Sequence, residues 1–224
     1  MPVSLETLVD VDSLHHDELF AGAEPLGLIG GRLFTLLKSL LDDLGVAEEP
    51  LIVGSVSPYA ILEGRIYVAE GAVVGPTAYV CGPTYIGPGA EVRHGAFVRG
   101  GLYLGAKAVC GHATEVKNSL FLDGAKAGHF AYVGDSVLGR NTNLGAGTKL
   151  ANLKVDSGEV SICDPETGAI VPTGLRKLGA ILGDGAQTGC NAVLSPGTIL
   201  CPGTVVLPCA HFRGTLREGR FPPK

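Results

Sequence analysis

The 224-residue sequence contains no tryptophan and few charged residues, 17% compared with about 25% in an average globular chain. This low charge, together with 46% apolar residues, excludes an intrinsically disordered chain. The net charge of −5 provides no overall basic field, so we expect neither nucleic acid nor an anionic membrane as a partner. No apolar run reaches the roughly 18 residues that a membrane-spanning helix needs.

A secretion signal and paired metal-type cysteines are also missing. The segment Met1 to His16 is acidic and lacks a basic region followed by an apolar one. The six cysteines include no CxxC pair, which indicates reduced thiols rather than a disulfide or zinc framework. We therefore expect a cytoplasmic protein with no metal site.

Glycine is abundant, at 34 residues, and an apolar residue recurs every six positions. Eleven of twelve successive sixth positions are Val, Leu or Ile: Val56, Leu62, Val68, Val74, Val80, Ile86, Val92, Val98, Leu104, Cys110, Val116 and Leu122. The residue four positions later is often small, so it can pack beneath the apolar residue, and glycine suits the turns. A six-residue unit cannot bury its own apolar residue, so the units must coil and stack. The period predicts an all-β fold, a parallel β-helix of hexapeptide repeats.

The repeat covers residues 51–210 and has two interruptions. The register slips between Leu122 and Val133, and it breaks again over residues 153–173. Turn residues separate short β-prone runs in the second break, which we interpret as a loop or hairpin that projects from the β-helix. A tolerated surface insertion is the alternative.

The two ends of the chain differ from the repeat. Residues 1–50 include a helical apolar pattern from Arg32 to Leu44, with Gly45 as the stop. We interpret this region as a helical cap on the open N-terminal end of the β-helix, where strand edges would otherwise be unpaired. Residues 211–224 are basic and rich in proline, and we expect them to form an arm.

Two sets of side chains recur once per coil. Arg99 and Lys117 are 18 residues apart, so they lie in one column of adjacent coils, about 4.8 Å apart. They form either a two-cation clamp for a phosphate or a pair of surface bases that are solvated or paired with carboxylates. His94, His112 and His129 are spaced similarly and suggest zinc, but stacked imidazoles stay parallel and do not converge on one ion. Surface turn residues are the alternative for these histidines.

A more specific pattern lies between Glu115 and Thr148. Three runs resemble the acetyltransferase domain of the bacterial bifunctional glucosamine-1-phosphate N-acetyltransferase/uridyltransferase: Glu-Val-Lys (115–117), Lys-Ala-Gly-His-x-x-Tyr-x-Gly-Asp (126–135) and Asn-x-Gly-Ala-Gly-Thr (143–148). The resemblance extends from about Val68 to Val206, and no segment resembles the uridyltransferase half. The whole chain is also similar to stand-alone proteins described as nucleotidyltransferase-like or putative acyltransferases.

This resemblance implies a left-handed β-helix with three-sided coils, a homotrimer with sites between neighbouring subunits, and acetyl-CoA as cosubstrate. It assigns His129 as the catalytic base, and Arg99 and Lys117 to a phosphate. The other matched positions are Tyr132 and Asn143 for the sugar phosphate, Asn152 beside the sugar and acyl group, Lys177 as a third basic residue, and the Ala146 backbone N–H for the thioester carbonyl. Cys190 replaces a serine near the CoA.

The leading hypothesis is therefore an acyl-CoA-dependent N-acetyltransferase acting on an amino sugar phosphate, in nucleotide sugar biosynthesis. A sugar ammonium cannot attack a thioester, so a base must first remove its proton, and histidine suits that role near neutral pH. A non-catalytic module for sugar-phosphate binding or assembly is the second hypothesis. A zinc hydratase is the third.

Overall fold

The computed structural model describes residues 5–20, 25–29 and 31–223. Four short 3-10 helices precede one α-helix: η1 Leu5–Thr7, η2 Val11–Ser13, η3 Asp17–Leu19, η4 Pro25–Leu28 and α1 Gly31–Asp43. No helix in these described ranges is both long and apolar enough to cross a membrane.

The remainder of the chain is built from short strands. The first twelve are β1 Leu51–Ile52, β2 Ser55–Val56, β3 Ile61–Glu63, β4 Ile66–Val68, β5 Val73–Val74, β6 Tyr79–Cys81, β7 Thr84–Ile86, β8 Glu91–Val92, β9 Phe97–Val98, β10 Leu102–Leu104, β11 Val109–His112 and β12 Glu115–Lys117. The next eight are β13 Ser119–Phe121, β14 Lys126–His129, β15 Tyr132–Gly134, β16 Val137–Leu138, β17 Asn143–Leu144, β18 Lys149–Leu150, β19 Ser161–Cys163 and β20 Ile170–Pro172. The last eight are β21 Ala180–Leu182, β22 Gln187–Thr188, β23 Val193–Leu194, β24 Thr198–Leu200, β25 Val205–Val206, β26 His211–Phe212, β27 Thr215–Leu216 and β28 Arg220–Phe221.

All of these strands except β19 and β20 form three parallel sheets, which are the faces of a left-handed β-helix. Face A has the order β1-β4-β7-β10-β13-β16-β21-β24-β27, and face B has the order β2-β5-β8-β11-β14-β17-β22-β25-β28. Face C has the order β3-β6-β9-β12-β15-β18-β23-β26. Each coil passes through faces A, B and C in turn, so the turns form three edges, named A–B, B–C and C–A. The predicted fold class is confirmed.

The recurring apolar residues fill the interior of the coils. Val80 and Val98 are fully buried, and the small residues Ala90 and Ala96 beside them are at most 1% exposed. Val80 pairs with Val98, and Val98 pairs with Val116, so one regular coil has 18 residues. The hexapeptide period therefore produces the core that it predicts.

The register slip lies earlier than the sequence suggested. Leu104 pairs with Phe121, so Phe121 rather than Leu122 is the interior residue of its coil. The coil is one residue shorter at the C–A edge, near Asn118, whose backbone is left-handed (φ 45°). The spacing from Phe121 through Ala127 to Val133 is regular. The expectation that His129 lies at a break in the repeat was therefore wrong.

The N-terminal region covers face A and does not lie across the end of the β-helix. Leu33 and Leu37 of α1 are fully buried in one cluster with the outward side chains of face A, including Tyr85 and Tyr103. Phe20 also packs edge-on against Tyr103, with ring centroids 5.2 Å apart. The predicted helix is present, but its predicted place on the open end was wrong, because face A presents apolar side chains on its outer surface that require cover.

The inserted segment also folds back onto the β-helix. It leaves face C after Leu150, and β19 and β20 pair as an antiparallel hairpin before the chain re-enters face A at Ala180. Val160 and Ile162 are at most 1% exposed and belong to the same face A cluster as the N-terminal helix. The segment is therefore packed against the protein and does not project from it.

The C-terminal residues extend the β-helix. His211–Phe212, Thr215–Leu216 and Arg220–Phe221 pair with β23, β24 and β25, respectively. The Phe212 ring is buried and contacts Phe221 at a centroid distance of 4.9 Å. The expected arm over residues 211–224 was wrong as far as residue 221, because phenylalanine fills the interior positions that valine and leucine fill elsewhere.

Candidate functional site

Face C and its two edges carry most of the side chains that the sequence singled out. The backbone N–H of Arg99 donates to Val116 O at 2.9 Å, so Arg99 and Lys117 lie in neighbouring coils at the C–A edge. Tyr132 is half-buried on the outer side of face C, beside the inward-facing Val133. The shortened turn near Asn118 and the inserted segment, both departures from the regular coil length, also lie at the C–A edge.

Each of the two cations has a carboxylate partner from its own chain. Arg99 Nη1 lies 2.8 Å from Glu115 Oε1, and Lys117 Nζ lies 3.6 Å from Asp135 Oδ2. The Arg99 side chain is 45% exposed, whereas that of Lys117 is 15% exposed. The arrangement is a stack of two ion pairs, so a phosphate would have to share these cations with the carboxylates.

Neither carboxylate was singled out from the sequence. Glu115 lies opposite Phe97 on the neighbouring strand, which makes Arg99 its diagonal neighbour two residues along. Counting in coils of 18 residues would have placed this pair correctly. The Asp135 contact depends on the shortened turn near Asn118, which the repeat pattern located wrongly.

A hydrogen-bonded group extends from Lys117 to the middle of face C. Tyr132 donates its hydroxyl proton to Asn152 Oδ1 at 3.3 Å, and Asn152 Nδ2 donates to Asp135 Oδ2. Burial, followed by the nearby carboxylate of Glu115, raises the pKa of the Tyr132 phenol. The structure therefore brings Lys117, Tyr132 and Asn152 together around one buried carboxylate.

The base of the inserted segment adjoins this group. Lys177 is exposed and forms a β-bridge with Leu153, next to Asn152. The backbone N–H of Leu178 donates to Asn152 O at 3.0 Å. We call Arg99, Lys117, Tyr132, Asn152 and Lys177 the C–A cluster.

His129 and Ala146 lie at the opposite edge of face C. His129 pairs in register with His112, and its carbonyl accepts the Gly147 N–H at 3.0 Å, so His129 and Ala146 belong to one column of the B–C edge. The His129 ring is exposed, and it has no hydrogen-bond partner within the described residues. The backbone N–H of Ala146 likewise has no acceptor within those residues, and its carbonyl accepts from Asn191.

One chain does not bring all the predicted residues together. His129 is three residues before Tyr132, about 10 Å along the chain, and the full width of face C separates it from Arg99 and Lys117. Asn143 is exposed on the outside of face B, in register with Lys126 and Gln187. The His129–Ala146 pair and the C–A cluster are therefore two separate groups in the single subunit.

Two surface cavities lie beside these groups. One of about 530 Å³ lies at the C–A edge beneath the inserted segment, and its lining includes Ala151, Lys154, Ser195 and Arg213. Another of about 320 Å³ lies against face B and includes His94 in its lining. The first is large enough for a small molecule and directly adjoins Asn152 in sequence.

The upper part of the histidine column does not form a metal-binding geometry. The His94 and His112 rings are stacked with centroids 4.1 Å apart, and His112 Nδ1 lies 3.0 Å from His94 O. Stacked rings direct their in-plane nitrogens side by side and not toward one point. Within the part of the chain that the structure describes, no group of three or more His, Cys, Asp or Glu side chains is placed to hold a metal ion.

Comparison with family models gives a match over more than half of the chain. Residues 80–202 match the model described as the GMPPB C-terminal domain. The match includes His129 and every residue of the C–A cluster.

Among curated proteins, the chain is similar to two bifunctional relatives. It is 37% identical over 100 residues to a bifunctional sugar-1-phosphate nucleotidylyltransferase/acetyltransferase of Sulfurisphaera tokodaii, which covers 45% of this chain and 24% of that protein. It is 42% identical over 76 residues to the bifunctional protein GlmU of Methanococcus maripaludis, which covers 34% of this chain and 18% of that protein. The chain thus matches a quarter or less of the length of these relatives.

Among solved structures, the fold is similar to that of Francisella novicida UDP-N-acetylglucosamine acyltransferase. The TM-score is 0.52 with 11% sequence identity, and the alignment covers 74% of this chain and 59% of that chain. At this identity the similarity establishes the fold.

Proposed function

Since the chain belongs to the family of the GMPPB C-terminal domain, we propose that it is an acyl-CoA-dependent N-acetyltransferase acting on an amino sugar phosphate, with His129 as general base. The observation that carries the proposal is the C–A cluster. Residues that are scattered from 99 to 177 in the sequence, and that the family resemblance assigns to a sugar phosphate, converge on one edge of the β-helix. The name of the bifunctional nucleotidylyltransferase/acetyltransferase relative supports the same reaction class.

In this proposal the C–A cluster binds the acceptor. The phosphate binds to Arg99 and Lys117, and a dianion attracts them more strongly than a single carboxylate does. The Arg99–Glu115 pair is accessible to solvent, so Arg99 can exchange its partner at low cost. The hydroxyl of Tyr132 and the amide of Asn152 bind the sugar.

Catalysis then requires two groups from the B–C edge. The exposed His129 imidazole removes the proton from the sugar ammonium, and the free amine attacks the thioester carbonyl of acetyl-CoA. The resulting oxyanion accepts a hydrogen bond from the Ala146 backbone N–H. Collapse of the tetrahedral intermediate expels the CoA thiolate, so the acetyl group passes directly to the sugar nitrogen.

We further propose that the active form is a homotrimer, because one subunit keeps these two groups apart. A neighbouring copy that packs its B–C edge against the C–A edge of the first would complete the site. Exposed apolar side chains border face C and the B–C edge, with Phe97 42%, Phe130 56% and Ile61 51% exposed. Such side chains are typical of a subunit contact.

The direct test is the release of free CoA from acetyl-CoA with a panel of amino sugar phosphates, including glucosamine-1-phosphate. We expect His129→Ala to lower kcat by about 10²- to 10⁴-fold. His94→Ala is the matched control, because His94 is an exposed histidine two coils earlier in the same column. Parental kcat in a folded His129→Ala variant would contradict the role of the base.

One observation favours the second candidate, a non-catalytic sugar-phosphate-binding module. In one subunit His129 and the C–A cluster are separate groups, so the cluster can bind a sugar phosphate with no base beside it. This candidate predicts binding of sugar phosphates, measured by calorimetry, with no CoA release in the same preparation.

A further inference from the structure

Two members of the C–A cluster, Lys117 and Asn152, contact a carboxylate, Asp135, that has no part in the mechanism above. Asp135 is only 2% exposed and has left-handed backbone geometry (φ 48°). Its N–H donates to Lys117 O at 3.0 Å, and its carbonyl accepts from Gly179 N–H at 2.8 Å. The backbone of Asp135 is therefore held on one side by the preceding coil and on the other by the chain that returns from the inserted segment.

The carboxylate of Asp135 is surrounded by donors. Asn118 Nδ2 donates to Oδ1 at 3.1 Å, while Asn152 Nδ2 and the Lys117 ammonium both contact Oδ2. A buried carboxylate is stable only when its oxygens are paired in this way. These three partners come from two different coils, so Asp135 links the coil of Lys117 to that of Asn152.

These contacts determine the direction of the hydrogen bond made by Tyr132. An ionised carboxylate only accepts, so Asn152 must turn its Nδ2 toward Asp135 and its Oδ1 toward Tyr132. Tyr132 must then donate its proton to Asn152, as its contact at 3.3 Å allows. The remaining lone pair of the Tyr132 oxygen is left to accept a hydrogen bond from a ligand.

The space around this contact is tight. A Cβ atom at Gly134 would lie 2.6 Å from Asn152 Nδ2 and 2.8 Å from Tyr132 Oη. Glycine at this position therefore allows the amide and the phenol to meet over the strand.

We propose that Asp135 is a positioning residue: it holds Lys117 at the C–A edge and, through the amide of Asn152, presents the Tyr132 oxygen as an acceptor toward an amino or hydroxyl group of the sugar. The identity of the ligand rests on the proposed function, whereas the contacts from Asp135 through Asn152 to Tyr132 are independent of it.

The principal test compares Asp135→Asn with Asp164→Asn. The first keeps the size of the side chain and removes its charge, which frees the Asn152 amide to turn over. The control removes another buried carboxylate, 6% exposed, which accepts from Thr167 N–H within the inserted hairpin. We expect kcat/KM for the sugar acceptor to fall about tenfold in Asp135→Asn, the size of one lost hydrogen bond, with the KM for acetyl-CoA unchanged.

A double variant separates positioning from general loss of structure. Because Asp135 acts partly through Tyr132, Asp135→Asn should lower acceptor kcat/KM by a smaller factor in a Tyr132→Phe background than in the parent. An equal loss in both backgrounds would overturn the proposal. So would a loss in which the KM for acetyl-CoA rises in parallel with that for the acceptor.

A second variant covers the case in which Asp135→Asn fails to fold. Asn118 has a left-handed backbone that glycine adopts easily, so Asn118→Gly removes only the amide that holds Asp135 Oδ1. We expect a smaller loss of acceptor kcat/KM in the same direction. Parental kinetics in this variant and in Asp135→Asn would overturn the proposal.

A measurement without substrate distinguishes failure of this inference from failure of the proposed function. The unfolding free energies of Asp135→Asn, Tyr132→Phe and the double variant are compared by denaturant titration. The two side chains are joined through Asn152, so we expect their effects to be non-additive. Additive effects would overturn the positioning role, whereas non-additivity in a protein that acetylates no acceptor would reject only the proposed function.

Discussion

At the scale of single residues, the candidate site depends on which group lies beside each cation. Arg99 shares an exposed ion pair with Glu115, whereas Lys117 faces a carboxylate that is almost fully buried. The two pairs look equivalent in the repeat, but the cost of breaking them differs. An exposed pair contributes at most about 1 kcal/mol, whereas removal of one partner from a buried pair leaves an uncompensated charge.

Alanine substitutions of the two cations should therefore differ in stability. We expect Arg99→Ala to change the free energy of unfolding by less than about 1 kcal/mol and Lys117→Ala to lower it by roughly 1–3 kcal/mol. Both should weaken binding of a phosphorylated acceptor more than of the same sugar without phosphate. Denaturant unfolding and calorimetry measure the two effects. If both variants bind the phosphorylated and the unphosphorylated sugar as tightly as the parent does, Arg99 and Lys117 do not bind the phosphate.

Gly134→Ala tests the packing of the C–A cluster. The added methyl group would displace the ends of the Asn152 and Tyr132 side chains, which can move, so we expect a modest stability loss of about 1 kcal/mol. The loss in acceptor kcat/KM, expressed as a free energy, should be larger than the loss in the free energy of unfolding. Gly128→Ala is the stability control, because a Cβ there has no atom within 4 Å. Equal melting temperatures and acceptor kinetics for parent and Gly134→Ala would contradict the tight contact.

At the scale of elements, two segments outside the coils cover the apolar outer side of face A. The N-terminal helix α1 and the β19–β20 hairpin both bury their apolar side chains in the cluster on face A. Faces B and C keep their outer sides largely free of such cover. The residues proposed to bind the substrate, apart from Asn143 on face B, accordingly lie on face C and its edges, where the surface is accessible.

The covering role of α1 predicts a large effect from one buried leucine. Leu37 is fully buried, so Leu37→Ala should lower the free energy of unfolding by about 2–5 kcal/mol. Lys38→Ala, one position along on the exposed side, should change it by less than about 0.5 kcal/mol. Chemical denaturation monitored by circular dichroism makes the comparison. Similar small values for both would show that the helix is not docked on face A.

At the scale of the whole molecule, the β-helix displays the His129–Ala146 pair and the C–A cluster on opposite edges of face C. This separation follows from the geometry of the coil, because a residue's position within the 18-residue period determines its edge. Substitutions within one coil cannot bring the two edges together. A site that uses both must be shared between copies, in agreement with the proposed homotrimer.

A shared site predicts that two impaired variants complement each other. His129→Ala removes the base from one edge, and Arg99→Ala weakens the other edge. When the two chains are co-expressed in equal amounts and assemble at random, about a quarter of all sites should combine two intact edges. CoA release by the mixed trimers should therefore exceed that of either variant alone. No gain in mixed assemblies, verified by light scattering to be trimers, would place both groups in one subunit.

The β-helix and most of its interior residues could be predicted from the sequence alone, because six-residue units of aliphatic and small residues can bury their apolar side chains only by coiling and stacking. The same period indicated that Arg99 and Lys117 are neighbours. The family resemblance identified Lys117 and Asn152, two of the three side chains that contact the Asp135 carboxylate, although it did not single out Asn118 or Asp135.

The register of the repeat near residue 121, the place of helix α1 and the partner of Lys117 could be learned only from the tertiary structure. Leu122 and Phe121 are both buried, one beneath the cover of face A and one inside the coil, so hydrophobicity could not tell which continues the repeat. Helix α1 lies on face A because the outer side of that face is apolar. The apolar surface can be identified only when each strand residue has been assigned to the inside or the outside of the coil. The partner of Lys117 depended on the length of one turn near Asn118, because a difference of one residue there changes which carboxylate faces this cation.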